Sequence, residues 1–145
     1  MRITRQVRYA LYGVFDLAYN GEGRPISVQE IGARQQVPGR YLEQILQRLR
    51  RAGIVESKRG PGGGYALARP ASQISVADIL VALEGSVIEP EEGEAEVQER
   101  PAFVWPLLEE KVGDLLGSMS LAELCHMATQ VGVARAEAEP PMYQI

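Results

Sequence analysis

The stretch IVESKRGPGGGYALAR, residues 54–69, changes character twice within sixteen positions. From Ile54 to Arg59 large or β-branched residues alternate with polar ones, the period of a half-buried strand. Residues 65–69, YALAR, are able to pair back on that run. Between the two, Gly60, Gly62, Gly63 and Gly64 supply the positive-φ positions a tight turn requires. The glycines do not make a phosphate loop, which would need a helix opening on Lys-Ser or Lys-Thr directly after them. They do not make a free linker either, because both flanks are patterned. The segment reads as a β-hairpin, and Lys58 and Arg59 lead into its tip. A basic tip with little side-chain bulk lets a backbone approach a duplex closely. It sets Arg59 where a narrow groove concentrates negative potential.

Upstream of the hairpin the period is helical. In TRQVRYALYGVFDLAYNG, Val7, Ala10, Leu11, Val14, Phe15 and Ala18 recur at the spacing of one helical face, and Gly21 and Gly23 end the run. Ser27, with Glu30 three residues on, has the spacing of a capping box, and Val28 and Ile31 then face inward. The turn QQVPGR separates this helix from a third, whose apolar stripe is Leu42, Ile45, Leu46 and Leu49 and whose stop is Gly53. Three helices and then a two-stranded ribbon is the order of a winged helix-turn-helix: mainly α with a small β-wing.

The third helix carries Arg40, Tyr41, Glu43, Gln44, Gln47, Arg48 and Arg51 opposite its stripe. Arg reads guanine O6 and N7, Gln reads adenine N6 and N7, and a carboxylate accepts from cytosine N4. An isolated helix with these residues would read as solvated and amphipathic. Its place before a basic wing makes it a recognition helix for double-stranded DNA.

Charge agrees once it is divided. The net charge of −4 hides a basic half: residues 1–70 carry twelve cations against five acids, a net of +7. Residues 71–145 carry three cations against fourteen acids, a net of −11. A basic half meets a polyanion, and the acidic half serves another purpose. The N-terminal MRITRQVRYA has no apolar signal core, and no run approaches the roughly 18 apolar residues of a membrane span, so a cytoplasmic protein without membrane contact is expected.

MRITRQVRYAL, YLEQILQRLRRAGIVESKRGPGGGYALARP and ISVADILVALEG together resemble the Rrf-two family of bacterial winged-helix transcription factors. That family includes the iron–sulfur cluster regulator, the nitric-oxide-sensing repressor and the cysteine-metabolism repressor. The resemblance runs without gaps over about residues 1–85 and continues more weakly through a long C-terminal helix. It implies homodimers on imperfect palindromes. Arg40, Tyr41, Glu43 and Gln44 would face the major groove, and Arg59 and the glycine tip the minor groove. The sequence departs from the family pattern at Val37-Pro38-Gly39, where a serine or threonine cap is usual, and at Gln6-Val7, where Lys-Gly is common.

The larger departure is in residues 85–101, GSVIEPEEGEAEVQERP, where the resemblance implies three cysteines in cluster-binding members. Here Glu89, Glu91, Glu92, Glu94, Glu96 and Glu99 fill the segment, with no cysteine or histidine. Thiolate ligation of a cluster is chemically impossible there, so no cofactor and no metal are expected. The glutamates make a solvated, mobile loop; a hard-cation site is the alternative, without regular ligand spacing to support it. Cys125, the single cysteine, lies on an apolar helical face with Leu121, Leu124 and Ala128 behind a Ser120–Glu123 capping box. Cys125 is a core cysteine or a redox-sensing thiol, and neighbouring His126 points about 100° away from it.

PAFVWPLLEEKVGDLLGSM presents Phe103, Val104, Leu107, Leu108, Val112, Leu115 and Leu116, too much apolar surface for a lone helix. A second copy of the chain is the economical partner for a palindrome reader. Pro101 is expected to open that helix, with Pro106 tolerated in its first turns. The sequence thus divides into a DNA-binding domain over 1–84, an acidic loop over 85–100, dimerisation helices over 101–132 and a loose tail over 133–145. It describes a homodimeric transcription regulator, expected to be a repressor that answers an unidentified effector or protein partner, and not an enzyme. The alternative is a scaffold module that kept the fold and lost DNA reading, against which the retained basic face speaks.

Overall fold

The computed structural model describes residues 3–93 and 96–136. Helix α1 spans Arg5–Gly21, α2 Val28–Gln35 and α3 Gly39–Arg51. Strands β1, Val55–Lys58, and β2, Gly64–Leu67, follow, then α4, Val76–Glu84, α5, Val104–Gly117, and α6, Leu121–Gln130. The fold is mostly helical with a two-stranded antiparallel wing, as the sequence predicts.

The core grows from helical stripes that meet. On α1, Val7, Ala10, Val14 and Leu17 are buried, while Leu11 and Ala18 lie at its margin. Gly13 lets Leu42 of α3 come close: a β-carbon there would lie 3.1 Å from the leucine's Cδ1. All four predicted stripe residues of α3 are buried, and Ala52 and Gly53 (φ 76°) end the helix. No side chain caps its start, where Pro38 stands at the cap position.

Both capping boxes expected from sequence form only in half. Ser27 Oγ accepts from Glu30 N at 3.2 Å, but the Glu30 carboxylate turns to Arg34 at 3.7 Å. Ser120 Oγ accepts from Glu123 N. A complete reciprocal box stands instead at α4, where Ser75 and Asp78 bond each other's backbone N–H. Helix α5 opens at Val104, three residues after Pro101, and Pro106 is its third residue, where no intrahelical N–H is lost.

The hydrophobic cluster reaches past residue 84. Val87 and Leu121 belong to it, and Val112, Leu116 and Leu124 pack on it. Leu121 N donates to Ile74 O, and Val76 N donates to Met119 O, so α6 is stitched to the segment before α4 and lies against α1. After α6 the chain crosses the end of α1. Tyr19 Oη donates to Val133 O at 2.7 Å, Arg135 donates to Tyr19 O at 2.7 Å, and the Arg135 guanidinium sits 4.1 Å over the tyrosine ring. Residues 133–136 are therefore tied down, contrary to the loose tail expected from 133 onward; 137–145 lie outside the described residues. Aperiodic sequence hides this strap because a handful of backbone and cation–π contacts leaves no pattern. No helix among the described residues is long and apolar enough to cross a membrane.

Candidate nucleic-acid interface

The wing is built from backbone upward. Val55 pairs with Leu67, Glu56 with Ala66, Ser57 with Tyr65 and Lys58 with Gly64. Tyr65 also exchanges both backbone hydrogen bonds with Ile26, at 2.8 and 2.9 Å, so the segment before α2 adds a third rung. Gly64 is required by that rung: a β-carbon there would collide with the Ile26 carbonyl. Gly63 is required by the turn, since a β-carbon would meet the carbonyl of Lys58. Both are half-buried, so their part in the wing is to close it. Lys58, Arg59, Gly60, Pro61 and Gly62 form the exposed tip.

Helix α3 is fixed against the core by its stripe and shows its other side to solvent beside the wing. Arg40, Tyr41, Gln44, Gln47 and Arg51 are exposed there. Tyr41 is braced edge-to-face by Tyr9 of α1, ring centroids 5.8 Å apart. Glu43 is half-buried: its Oε1 accepts from Tyr65 Oη at 2.8 Å and from Gln47 Nε2 at 3.5 Å. Burial first, and Glu43 second, push the Tyr65 hydroxyl up to about 12, so it remains a donor at any physiological pH.

Arg48, expected on the reading face, is turned the other way. Its guanidinium donates to the Leu83 carbonyl at 2.6 Å, at the C-terminal end of α4. There it satisfies an orphan carbonyl and meets the negative end of the helix. Arg50, which the periodicity does not single out, is exposed instead. With Glu43, Gln47, Lys58, Gly64 and Tyr65 it lines a groove of about 340 Å³ between α3, the wing and the start of α2. The signal for Arg50 is present in the sequence: it lies three residues after Gln47 and so shares its side of the helix.

One buried charge holds the two halves of this unit together. Asp16 of α1 is fully buried and accepts from Arg34 at 2.7 and 3.0 Å, from Gln35 at 2.9 Å and from Asn20 at 3.3 Å. The pairing with Asp16 holds the Arg34 guanidinium above its ordinary range. The α2–α3 reading unit is thus oriented on α1 by a hub that, in the sequence, is only one acid in a basic half.

Among the described residues, no three His, Cys, Asp or Glu side chains group so as to hold an ion. The start of the loop is pinned, not free: Glu109 accepts from the N–H groups of Val87 and Ile88. Glu89, Glu91, Glu92, Glu96 and Glu99 are exposed, and Glu94 lies outside the described residues. Cys125, on α6, is half-buried, and burial pushes its thiol up while Arg135 pulls the other way. Burial thus disfavours the thiolate, and Arg135 favours it. An iron–sulfur cluster is held chiefly by thiolates, and one raised thiol beside a set of scattered carboxylates does not fit that group.

Of the seven apolar residues in and just before α5 expected at a dimer contact, Phe103 (70% exposed), Leu107, Leu108 and Leu115 (64%) stand free on this chain. Val104 is half-buried, and Val112 and Leu116 pack inward on the core.

A braced helix and a basic hairpin on one side of a three-helix unit define the winged helix-turn-helix class of DNA-binding transcription regulators. Comparison with known proteins makes this specific. Residues 3–127 match the Rrf2 family, described as iron-dependent transcriptional regulators, and the chain belongs to that family. It is similar to the HTH-type transcriptional regulator IscR of Xenorhabdus nematophila, 39% identical over 130 residues that span 86% of this chain and 79% of that one. Among solved structures it is similar to CymR, the global cysteine regulator of B. subtilis, with TM-score 0.72 and 35% identity over 88% of this chain and 98% of that one. IscR of T. potens gives TM-score 0.72 and 34% identity over 94% of each. The chain is accordingly a DNA-binding regulator of transcription and not an enzyme.

Proposed function

We propose that this chain represses transcription in the cytoplasm as a homodimer bound to a palindromic operator, without an iron–sulfur cluster. The observation that carries the reading is the exposure of Arg40, Arg50 and Arg51 on α3 and of Lys58 and Arg59 on the wing, two elements that flank one groove lined by Arg50 and Lys58. Arg40, Tyr41, Glu43, Gln44 and Gln47 enter the major groove, and Arg59 with Gly60 and Gly62 enters the adjacent minor groove. The exposed leucines of α5 and Phe103 just before it meet the same stripe of a second copy, which supplies the two-fold axis a palindrome requires. The signal is a small ligand, a protein partner or a change at Cys125, and not cluster loss.

Selection of bound fragments from genomic DNA tests this. It is expected to return two related half-sites about one helical turn apart. Protein purified without oxygen is expected to be colourless and competent in the same assay. Fragments with a single unrepeated motif, or stoichiometric iron with inorganic sulfide, would overturn the reading.

A further inference from the structure

Glu43 is an oddity on the surface that carries it. It is the only acid on α3, it faces the groove that Arg50 and Lys58 line, and a free carboxylate there would be repelled by a phosphate backbone. A solvated glutamate also has many rotamers, and ordering one on DNA would oppose binding. Here the ordering has been done within the protein. Tyr65 Oη and Gln47 Nε2 both donate to the same oxygen, Oε1, which leaves Oε2 free of hydrogen bonds among the described residues.

Tyr65 is suited to that task by its own restraints. It is 6% exposed, its backbone is paired with Ser57 on one side and with Ile26 on the other, and Gly64 before it admits no side chain. Its hydroxyl therefore stands at a fixed point relative to the wing and to the start of α2. The partner it reaches among the described residues is on α3.

We propose that Tyr65 is a positioning residue for base reading: its hydroxyl clamps the Glu43 carboxylate so that Oε2 alone is presented to a base amino group. The clamp rests on the DNA-reading role of α3 proposed above and adds to it a mechanical link from the wing. A wing seated in its groove holds Tyr65, Tyr65 holds Glu43, and the base opposite Glu43 is then read by a preorganised acceptor. The raised pKa of the hydroxyl agrees with a donor that keeps its proton.

The test uses the full chain and its selected operator, with every base substituted in turn at each half-site position. Tyr65→Phe keeps the ring and both backbone ladders and removes only the donor. It is expected to lower discrimination at one position per half-site by about threefold to tenfold. The slope of affinity against salt, and discrimination at every other position, should stay as in the unaltered protein. On a Glu43→Ala background the same change should have no effect on that position. Glu43→Gln keeps an acceptor for Tyr65 but presents an amide, so the position should stay sharply read and change its preferred base.

Unchanged discrimination in Tyr65→Phe, or an equal effect with and without Glu43, overturns the clamp while the DNA-reading face survives. A position that turns indifferent in Glu43→Gln does the same. Absence of any base preference in the unaltered chain sinks the reading face and the clamp together.

Discussion

Asp16 and Tyr65 carry more than their composition suggests, and each has a measurable consequence. Asp16 is the charged side chain buried in the described core, and four hydrogen bonds from three residues converge on it. Truncating it leaves Arg34 and Gln35 with donors aimed at an empty place. Because Arg34 keeps some contact with water, Asp16→Ala is expected to cost about 2–3 kcal/mol, below the loss for a fully buried pair. Urea unfolding monitored by circular dichroism measures it, and an unchanged midpoint would contradict the hub. Tyr65 gives a pH signature. Its folded-state pKa, about 12, lies above the ordinary tyrosine value of 10.0, so its stabilising contribution is complete below pH 10 and is lost as pH rises toward 12. The stability difference between the unaltered chain and Tyr65→Phe should be flat up to pH 10 and shrink above it. A difference that grows over that range would reverse the sign of the coupling. Neither residue stands out in the sequence. A lone Asp within an apolar helix and a Tyr after a glycine run have many uses, and what assigns theirs is a partner 18 or 22 positions away.

The elements are legible where a period or a turn chemistry determines them. The α3 stripe is buried residue for residue, and the hairpin pairs across the glycine run; its strands do not alternate as expected, since Ile54 and Val55 are both buried, as are Tyr65 and Ala66. What periodicity leaves open is direction at the edge of a stripe. Arg48 lies beside Leu49 and close to the boundary, and a long arginine stem reaches either solvent or a neighbouring helix end; the α4 carbonyls decide it. The strap over Tyr19 and the pinning of Val87 and Ile88 by Glu109 depend on a few long-range contacts, which no local pattern announces. On the recognition helix, two variants should fail in different ways. Gln44→Ala should relax base preference at one position per half-site, by roughly 1–3 kcal/mol on the preferred sequence. Arg51→Ala, near the helix end, should weaken all sequences alike and make the salt slope shallower by about 0.9 for each phosphate it no longer neutralises. Uniform weakening in both variants, measured by fluorescence anisotropy, would mean that a different face enters the groove.

At the scale of the whole molecule the charge division and the fold agree. The basic half supplies the α3–wing surface, and the acidic half supplies α5, where Leu107, Leu108 and Leu115, with Phe103 just before the helix, lie open on a single chain. Clustered exposed apolar residues of this kind mark an interaction surface. Leu115→Glu is expected to give monomers in sedimentation velocity, with little change in the stability of the single chain because Leu115 is 64% exposed. A dimer of unchanged affinity would place the interface elsewhere. All of the DNA-reading proposals depend on the basic α3–wing face meeting DNA phosphates. The affinity of the intact chain for its selected duplex, followed across a range of salt concentrations, reads that interaction without any substitution. Five exposed cations per protomer, about half of them on phosphates in a dimer, should make log affinity fall linearly with log salt with a slope of about −4 or steeper; a flat line would contradict phosphate docking by this face.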